Sequence, residues 1–360
     1  MVITVDRGRY TCLLDNAAGG PIIVTAMRAR ELGRRAVAVG DQVQIVGDLS
    51  GGVDTLARIV RISERRSVLR RSADDTDLAE RVLVANADQL VIVAALADPL
   101  PRTGFIDRCL VAAYTGNLDP VLVLTKADLA DPAPLLAAYR DLGLPILITR
   151  RDVDRPSGSA DRTPSSADRT PSSPDRTPGS PDRTPGSADR TLGSAGLDEV
   201  RGRLTGLVSV LVGHSGVGKS TLVNALVPDA LRATGSVTGV GKGRHTSTSA
   251  IALALPDGGW VIDTPGVRSF GLAHVTADDL LQTFDDLLPA TVNCPPGCDH
   301  SGPGGGPDST GVGCALDAFV AAGGTRPGRL ASFRRLLASK AGNDSPDPRD
   351  SDDPGTQTTD

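Results

Sequence analysis

The sequence is poor in aromatic residues, has few cysteines and has no long apolar run. Aromatic residues make up 2% of the 360 positions, so nucleic-acid binding would have to rely on charge and shape more than on base stacking. No run of about 18 apolar residues and no basic-then-apolar leader is present, which predicts a cytoplasmic protein with no membrane partner. Five cysteines are an odd number, and structural disulfides are not expected in the cytosol. Clustered cysteines therefore predict a metal site.

The net charge of −5 is unevenly distributed. Residues 1–71 hold 12 Lys and Arg against 7 Asp and Glu, which is +5, whereas the last twenty residues hold six Asp and one Arg. The segment 326–340 holds five basic residues and no acidic ones. Two basic segments and an acidic tail are typical of a protein that meets a polyanion at its ends. On charge alone, solvated surface faces remain the alternative.

The pattern along the chain predicts a multidomain α/β protein. Short alternating stretches over 1–71 favour a small antiparallel barrel of the five-stranded OB type. Over 72–290, apolar strands alternate with helical stretches, which predicts a parallel sheet with covering helices. A repeated heptapeptide that mostly begins with DRTP interrupts this α/β pattern over 151–196 and predicts a disordered insertion. A zinc-binding module with helices over 291–340 and a disordered acidic tail over 341–360 complete the prediction.

The stretch "GHSGVGKS" is a phosphate-binding loop between a predicted strand and a predicted helix. Its glycines let successive backbone N–H groups turn towards phosphate oxygens. Lys219 supplies a point charge to the outer phosphates, and the Ser220 hydroxyl would bind Mg²⁺. The predicted nucleotide contacts here are Gly213, His214, Ser215, Gly216, Val217, Gly218, Lys219, Ser220 and Thr221.

Two further motifs identify the nucleotide as GTP. In "DTPG", Asp263 follows a strand and can hold the Mg²⁺ shell, while the Gly266 N–H can face a γ-phosphate. In "TKAD", formed by Thr125, Lys126, Ala127 and Asp128, the Asp128 carboxylate can accept hydrogen bonds from guanine N1–H and the 2-amino group. Adenine has neither donor, so such a site discriminates against it. Standard GTPases have Asn at the position of Thr125.

The order of these motifs is reversed relative to an ordinary GTP-binding domain. The base-reading segment precedes the phosphate loop, and "DTPG" comes last. This order resembles a circularly permuted GTPase, in which the same sheet is built from a chain that is cut elsewhere.

A Cys₃His set follows the GTPase motifs. Cys294, Cys298, His300 and Cys314 are the donor types of a closed, structural, tetrahedral zinc site. The remaining cysteines, Cys12 and Cys109, lie in apolar stretches and are predicted to be core residues.

Together, the barrel, the permuted motifs, the Gly-Arg-His-Thr stretch "GKGRHTSTS" and the cysteine module resemble the ribosome small subunit-dependent GTPase A family over roughly residues 1–340. The resemblance implies a GTP hydrolase with one structural Zn²⁺, and Mg²⁺ with the nucleotide. It also implies binding to the small (30S) ribosomal subunit and its 16S rRNA late in assembly, with activity stimulated by the subunit. We expect a monomer that releases GDP and phosphate.

The catalytic water is not positioned in the usual way. Val267 stands where Ras-type enzymes carry the water-orienting glutamine, and valine cannot orient water. We therefore expect slow intrinsic turnover and take His245 as the candidate replacement, with a solvated loop position or a phosphate contact in rRNA as the alternatives. Other hypotheses are a P-loop ATPase or kinase, a permuted GTPase acting on the large subunit, and a zinc-containing RNA-binding GTP switch with little hydrolysis.

Overall fold

The computed structural model describes residues 1–14, 20–33, 36–52, 54–72, 80–151, 193–228, 250–267, 270, 272, 274–302 and 313–341. The strands are β1 Val2–Asp6, β2 Arg9–Leu14, β3 Ile22–Arg28, β4 Val43–Val46, β5 Ala57–Ile62, β6 Val68–Ser72, β7 Glu80–Ala85, β8 Gln89–Ala95, β9 Asp119–Thr125, β10 Ile146–Ile148, β11 Val208–Val212, β12 Ile251–Ala254 and β13 Trp260–Asp263. The α-helices are α1 Thr103–Thr115, α2 Ala133–Tyr139, α3 Ser194–Leu204, α4 Lys219–Leu226, α5 Ala277–Leu281, α6 Ala315–Ala321 and α7 Pro327–Ala341.

The central sheet has the order β10-β9-β8-β11-β13-β12, and all its pairs are parallel except β12 with β13. Strand β8 is buried on both faces. Its even-numbered residues from Leu90 to Ala94 belong to one apolar core, and its odd-numbered residues from Val91 to Ala95 belong to another. Helix α1 lies in the first core, whereas α3 and α4 supply residues to the second. The predicted parallel sheet with covering helices is confirmed.

Single residues set one boundary of each of two helices. Helix α1 stops at Gly116, where a Cβ would lie 2.4 Å from the Val68 carbonyl oxygen, so the close approach of β6 requires glycine. Helix α5 begins with a capping box in which Thr276 and Asp279 satisfy each other's backbone N–H groups. Such caps fix where a short helix starts.

The N-terminal strands follow the order β1-β2-β3-β5-β4, with β3 and β5 parallel, but they do not close into a barrel among the described residues. Strand β1 pairs with β12 at Thr4 and Ile251, so its outer edge is partly occupied by the central sheet. Val2 makes two backbone hydrogen bonds with Gly40 and Asp41, which precede β4, and it shares an apolar core with Val43 and Ile45 of that strand. The prediction of an OB-type barrel is therefore not confirmed, because β1 joins the two sheets into one of eleven strands.

The C-terminal helix α7 packs against α1, and its arginines are used inside the protein. The Arg335 Nε lies 3.2 Å from Asp107 of α1, and its guanidinium lies over the Tyr139 ring at 4.7 Å. Arg329 lies over the Phe284 ring at 4.3 Å and pairs with Asp286.

The sequence-based view of 326–340 as a basic surface is therefore wrong for these two arginines and for Arg334, which binds Asp317 with two hydrogen bonds of 2.7 and 2.8 Å. Of the helices in the described part of the chain, none has the length and apolar character needed to cross a membrane.

Candidate functional site

Strands from both halves of the chain end at one edge of the central sheet. Ala95 of β8 pairs with Thr125 of β9, and Leu211 of β11 pairs with Asp263 of β13. Because these strands are parallel, the segments that follow them lie side by side. The base-reading segment, the phosphate loop and "DTPG" therefore meet at this edge despite their order in the sequence.

The phosphate loop connects β11 to α4 as the spacing predicts. At Gly213 an added Cβ would lie 2.6 Å from the Val93 carbonyl oxygen, so no other residue fits without a shift. Gly218 has φ of 92°, a left-handed conformation that lets the chain enter α4 directly. Ser215, Gly216, Ser220 and Thr221 are exposed at the mouth of this loop. The His214 ring packs on Phe105 of α1, with ring centroids 4.0 Å apart.

Lys219 and Asp263 form an ion pair at the centre of the site. Lys219 is 9% exposed, so its ammonium is held close to the carboxylate with little screening by solvent. The neighbouring Thr264 hydroxyl donates to the Leu211 carbonyl oxygen at 2.6 Å and fixes the start of the "DTPG" turn. Gly266 in that turn is exposed, with φ of 71°. A partly buried cation and a carboxylate are therefore held together between the phosphate loop and "DTPG".

Thr125 links the base-reading segment to the phosphate loop. Its hydroxyl donates to the Val217 carbonyl oxygen at 2.6 Å, and the side chain is 4% exposed. Lys126 has φ of 59° and directs its ammonium to the Asp98 carbonyl oxygen.

Asp128 is exposed and accepts a hydrogen bond of 3.1 Å from the backbone N–H of Arg151. Ala127 donates its backbone N–H to the Thr149 carbonyl oxygen at 3.2 Å. Thr149 is fully buried, and its hydroxyl has no hydrogen-bond partner among the described residues. The segment that follows β10 therefore lies directly beside Asp128. The sequence analysis did not assign this segment to the site. The strand "PILIT" could have indicated it, because parallel strands end at the same edge of a sheet.

The four predicted metal ligands come together near the C-terminus. The His300 Nδ1 lies 3.5 Å from the Sγ atoms of both Cys294 and Cys298 and 3.6 Å from that of Cys314. The Sγ atoms of Cys294 and Cys314 are 4.0 Å apart. A tetrahedral Zn²⁺ with its usual bond lengths requires S···N edges of about 3.6 Å and S···S edges of about 3.8 Å. The donor set and its spacing therefore fit zinc.

The surroundings of the cluster hold its ligands in place. His300 is 5% exposed with φ of 59°, and its carbonyl oxygen accepts from the Arg334 Nε at 3.1 Å. Cys314 is the residue before α6, and burial raises the pKa of its thiol to about 12. A bound divalent cation would have to displace that proton, because thiolates are the zinc ligands. Hydrogen bonds from Arg334 lower the pKa of Asp317, so this ion pair keeps its charges near the cluster.

The other predicted site residues fall outside this geometry. His245 and the rest of "GKGRHTSTS" lie outside the described residues, as does most of the predicted insertion. Val267 is 5% exposed and apolar, so the residue after "DTPG" turns into the core.

Comparison with known proteins gives one consistent family. The sequence model of the RsgA GTPase family matches residues 62–157 and 188–273. A relative from Pseudomonas aeruginosa PAO1, named small ribosomal subunit biogenesis GTPase RsgA, is 36% identical over 84% of this chain and 76% of its own length. A relative of the same name from Chlorobaculum parvum is 32% identical over 85% of this chain and 86% of its own length.

Two solved structures share the fold. YjeQ from Thermotoga maritima is 22% identical, with a TM-score of 0.57, and the match covers 95% of this chain and 98% of that one. YloQ, described as a circularly permuted GTPase, is 20% identical with a TM-score of 0.57 and coverage of 94% and 93%. At these identities the likeness concerns the fold, which is mixed α/β.

Proposed function

The chain belongs to the RsgA GTPase family, and from this membership we propose that it hydrolyses GTP to GDP and phosphate during maturation of the small ribosomal subunit. Its relatives are named small ribosomal subunit biogenesis GTPases. The observation that carries the proposal is the convergence of Asp128, Lys219 and Asp263 at one edge of the sheet. These residues supply a base reader, a phosphate-binding cation and a carboxylate for the metal shell.

In this proposal the chain's own groups do the binding and positioning. The backbone N–H groups of 213–218 surround the phosphates, and Lys219 leaves Asp263 to neutralise the outer phosphates. Ser220 and Asp263 would hold Mg²⁺, which offsets charge on the phosphates when bound. The buried side chain of Val267 has no polar atom that could orient the attacking water, so the chain needs another group there. We assign that role to His245, which the ribosomal partner would bring into place.

The N-terminal sheet supports contact with 16S rRNA. Arg9, Met27, Arg58 and Val46 are exposed and lie in one row across β2, β3, β5 and β4. Guanidinium groups that alternate with apolar side chains can bind phosphates and pack on ribose or bases. We propose that this face, on a partly open OB-type domain over 1–71, meets the RNA.

The proposal also covers the domain bounds, the metal and the oligomeric state. The GTPase domain spans 72–290 with its insertion, and the module over 291–340 holds one structural Zn²⁺ on the Cys₃His cluster. We propose that the protein acts as a cytoplasmic monomer.

The test is phosphate release from GTP and from ATP by the full chain, alone, with small subunits and with large subunits. We expect slow release from GTP that small subunits accelerate at least tenfold, with no effect of large subunits and no turnover of ATP. The Lys219→Ala chain serves as the control for contaminating hydrolases. Equal GTP turnover with and without small subunits would refute the ribosomal role, and equal turnover of ATP would refute the GTPase assignment.

A further inference from the structure

The four ligands of the Cys₃His cluster come from two separate segments of the chain. Cys294, Cys298 and His300 belong to one segment, whereas Cys314 lies 14 positions after His300. A zinc ion binds more tightly where its ligands are already held in place, because ordering them on binding costs conformational entropy. Contacts that join the two segments without the metal therefore contribute to zinc affinity.

One side chain of the C-terminal helix α7 joins these segments. The Arg334 Nε donates to the His300 carbonyl oxygen at 3.1 Å, and its two terminal nitrogens donate to the Asp317 carboxylate at 2.7 and 2.8 Å. Asp317 lies in the first turn of α6, and its backbone N–H donates to the Cys314 carbonyl oxygen at 3.1 Å. The planar guanidinium makes all three bonds at once because its donors point in fixed directions. Arg334 therefore holds both ligand-bearing segments in one arrangement.

The backbone of His300 requires such a contact. Its φ is 59°, in the left-handed region, which costs free energy for a residue other than glycine and persists only where the surroundings hold it. The bond from Arg334 to the carbonyl of this residue is charge-assisted, and such hydrogen bonds are roughly twice as strong as neutral ones. His300 is 5% exposed and the Arg334 side chain is 20% exposed, so solvent competes little for the bond. The guanidinium thus stabilises the conformation that places Nδ1 near the three Sγ atoms.

The next residue of the helix makes contacts of a different kind. Arg335 pairs with Asp107 of α1 at 3.2 Å and donates to the Ala138 carbonyl oxygen of α2 at 2.9 Å. Successive side chains of a helix lie on different faces, since a turn takes 3.6 residues. Arg334 therefore faces the metal ligands and Arg335 faces the helices of the central sheet. The two arginines allow a matched comparison of the two roles.

We propose that Arg334 is a positioning residue of the metal site, which prepares the two ligand-bearing segments for zinc through its planar fork of hydrogen bonds. Zinc affinity then depends on a residue of the C-terminal helix that does not itself bind the ion. The inference rests on the proposed binding of zinc by the Cys₃His cluster.

The experiment measures the zinc dissociation constant of the full chain by competition with a chromogenic chelator. Substitution of a residue that orients metal ligands typically weakens metal binding about 10- to 100-fold, and we expect a loss of this size for Arg334→Ala. Arg334→Lys should lose nearly as much, because an ammonium group is a point charge and cannot hold the His300 carbonyl oxygen and Asp317 together.

Arg335→Ala is the matched control on the same helix. Its described contacts are with α1 and α2, and effects at independent sites add, so its zinc affinity should stay within about twofold of wild type. Thermal unfolding of the zinc-loaded chains checks that each variant is folded.

A second measurement replaces zinc with Co²⁺, whose visible spectrum reports the thiolate ligands and the geometry around the metal. The Arg334→Ala chain at saturating Co²⁺ should keep the wild-type thiolate bands, because no ligand is removed. Cys298→Ser should lose part of their intensity, because a ligand is removed. This readout separates a residue that positions the ligands from one that binds the ion.

The outcomes separate this inference from the proposed function. Unchanged zinc affinity in a folded Arg334→Ala chain would overturn the inference, and wild-type affinity in Arg334→Lys would refute the role of the planar fork. An equal loss in Arg335→Ala would also overturn it, because zinc binding would then follow the packing of α7 as a whole. No zinc binding by the wild-type chain would overturn both the inference and the proposed metal site, while GTP turnover keeps its own test.

Discussion

Replacing Arg335 with alanine should destabilise the protein, because it removes the stronger of the two positive charges that act on the buried Asp107 carboxylate, the weaker being Arg108. Asp107 is 3% exposed, and burial raises its pKa despite the nearby guanidinium. Two charges 3.2 Å apart attract by about 5 kcal/mol at an effective dielectric constant of about 20. Desolvation offsets part of this attraction, and about a third of the Arg335 side chain is exposed. We therefore expect Arg335→Ala to lower the free energy of unfolding by about 2–3 kcal/mol.

The assay is thermal unfolding at pH 8 and at pH 5. A loss of 1 kcal/mol lowers Tm by about 2–4 °C in domains of 150–250 residues, so the variant should melt about 4–12 °C lower at pH 8. A carboxyl group whose pKa is raised on folding stabilises the native state below its unfolded pKa, and this contribution is lost as pH rises through the folded pKa. Without Arg335 the pKa of Asp107 rises further, so the loss at pH 5 should be smaller than at pH 8.

The matched control is Arg326→Ala. Arg326 lies just before the same helix, its side chain is 76% exposed, and it is 3.7 Å from Asp141, so the change should cost less than about 0.5 kcal/mol. Equal effects of the two substitutions on Tm would refute the reasoning. A normal Tm for Arg335→Ala with reduced binding to small subunits would instead restore the view of α7 as a basic RNA-binding surface.

Three further predictions concern the zinc cluster, the insertion and the catalytic water. Cys298→Ser should reduce zinc from one per chain to well below one by elemental analysis, whereas Cys12→Ala should keep it; full zinc in Cys298→Ser would contradict the ligand set. Replacing 152–192 with a short Gly-Ser linker should leave Tm within about 2 °C and keep GTP turnover, because the Gly193 N–H already bonds the Arg150 carbonyl oxygen at 2.8 Å. Loss of folding would show that the segment is structural. His245→Ala should abolish stimulation by small subunits while keeping GTP affinity, and full stimulated turnover would reject its role.

The parts of the structure that sequence predicts are those set by short-range spacing. The phosphate loop needs glycines at fixed steps between a strand and a helix, and three of the four metal ligands lie within seven positions of one another. The assignment of β8 side chains to two different cores is also predictable from local sequence, because alternate residues of a strand point to opposite faces of the sheet. These features require no knowledge of which distant segment lies opposite.

Features that depend on distant pairing were not predictable in the same way. The contact of β1 with β12 joins residues 4 and 251, and no property of either strand alone selects that partner. The arginines of 326–340 look like a basic surface in the sequence, and only packing against α1 and α2 shows that Arg335 is used internally. The N–H that orients Asp128 belongs to the backbone of Arg151, and a backbone donor leaves no trace in residue type.

The reversed motif order is compatible with an intact site, because the position of each motif depends on the order of the strands in the sheet and not on their order along the chain. Strand β8 pairs with β9 on one side and with β11 on the other, so the first half of the chain carries the base-reading segment to the phosphate loop of the second half. The hydrogen bond from Thr125 to the Val217 carbonyl oxygen then crosses 92 positions of sequence within one edge of the sheet. A chain cut at another point would keep that contact, provided that the strand order stays the same. What permutation does change is the segment that follows "DTPG", which here leads through α5 to the Cys₃His cluster.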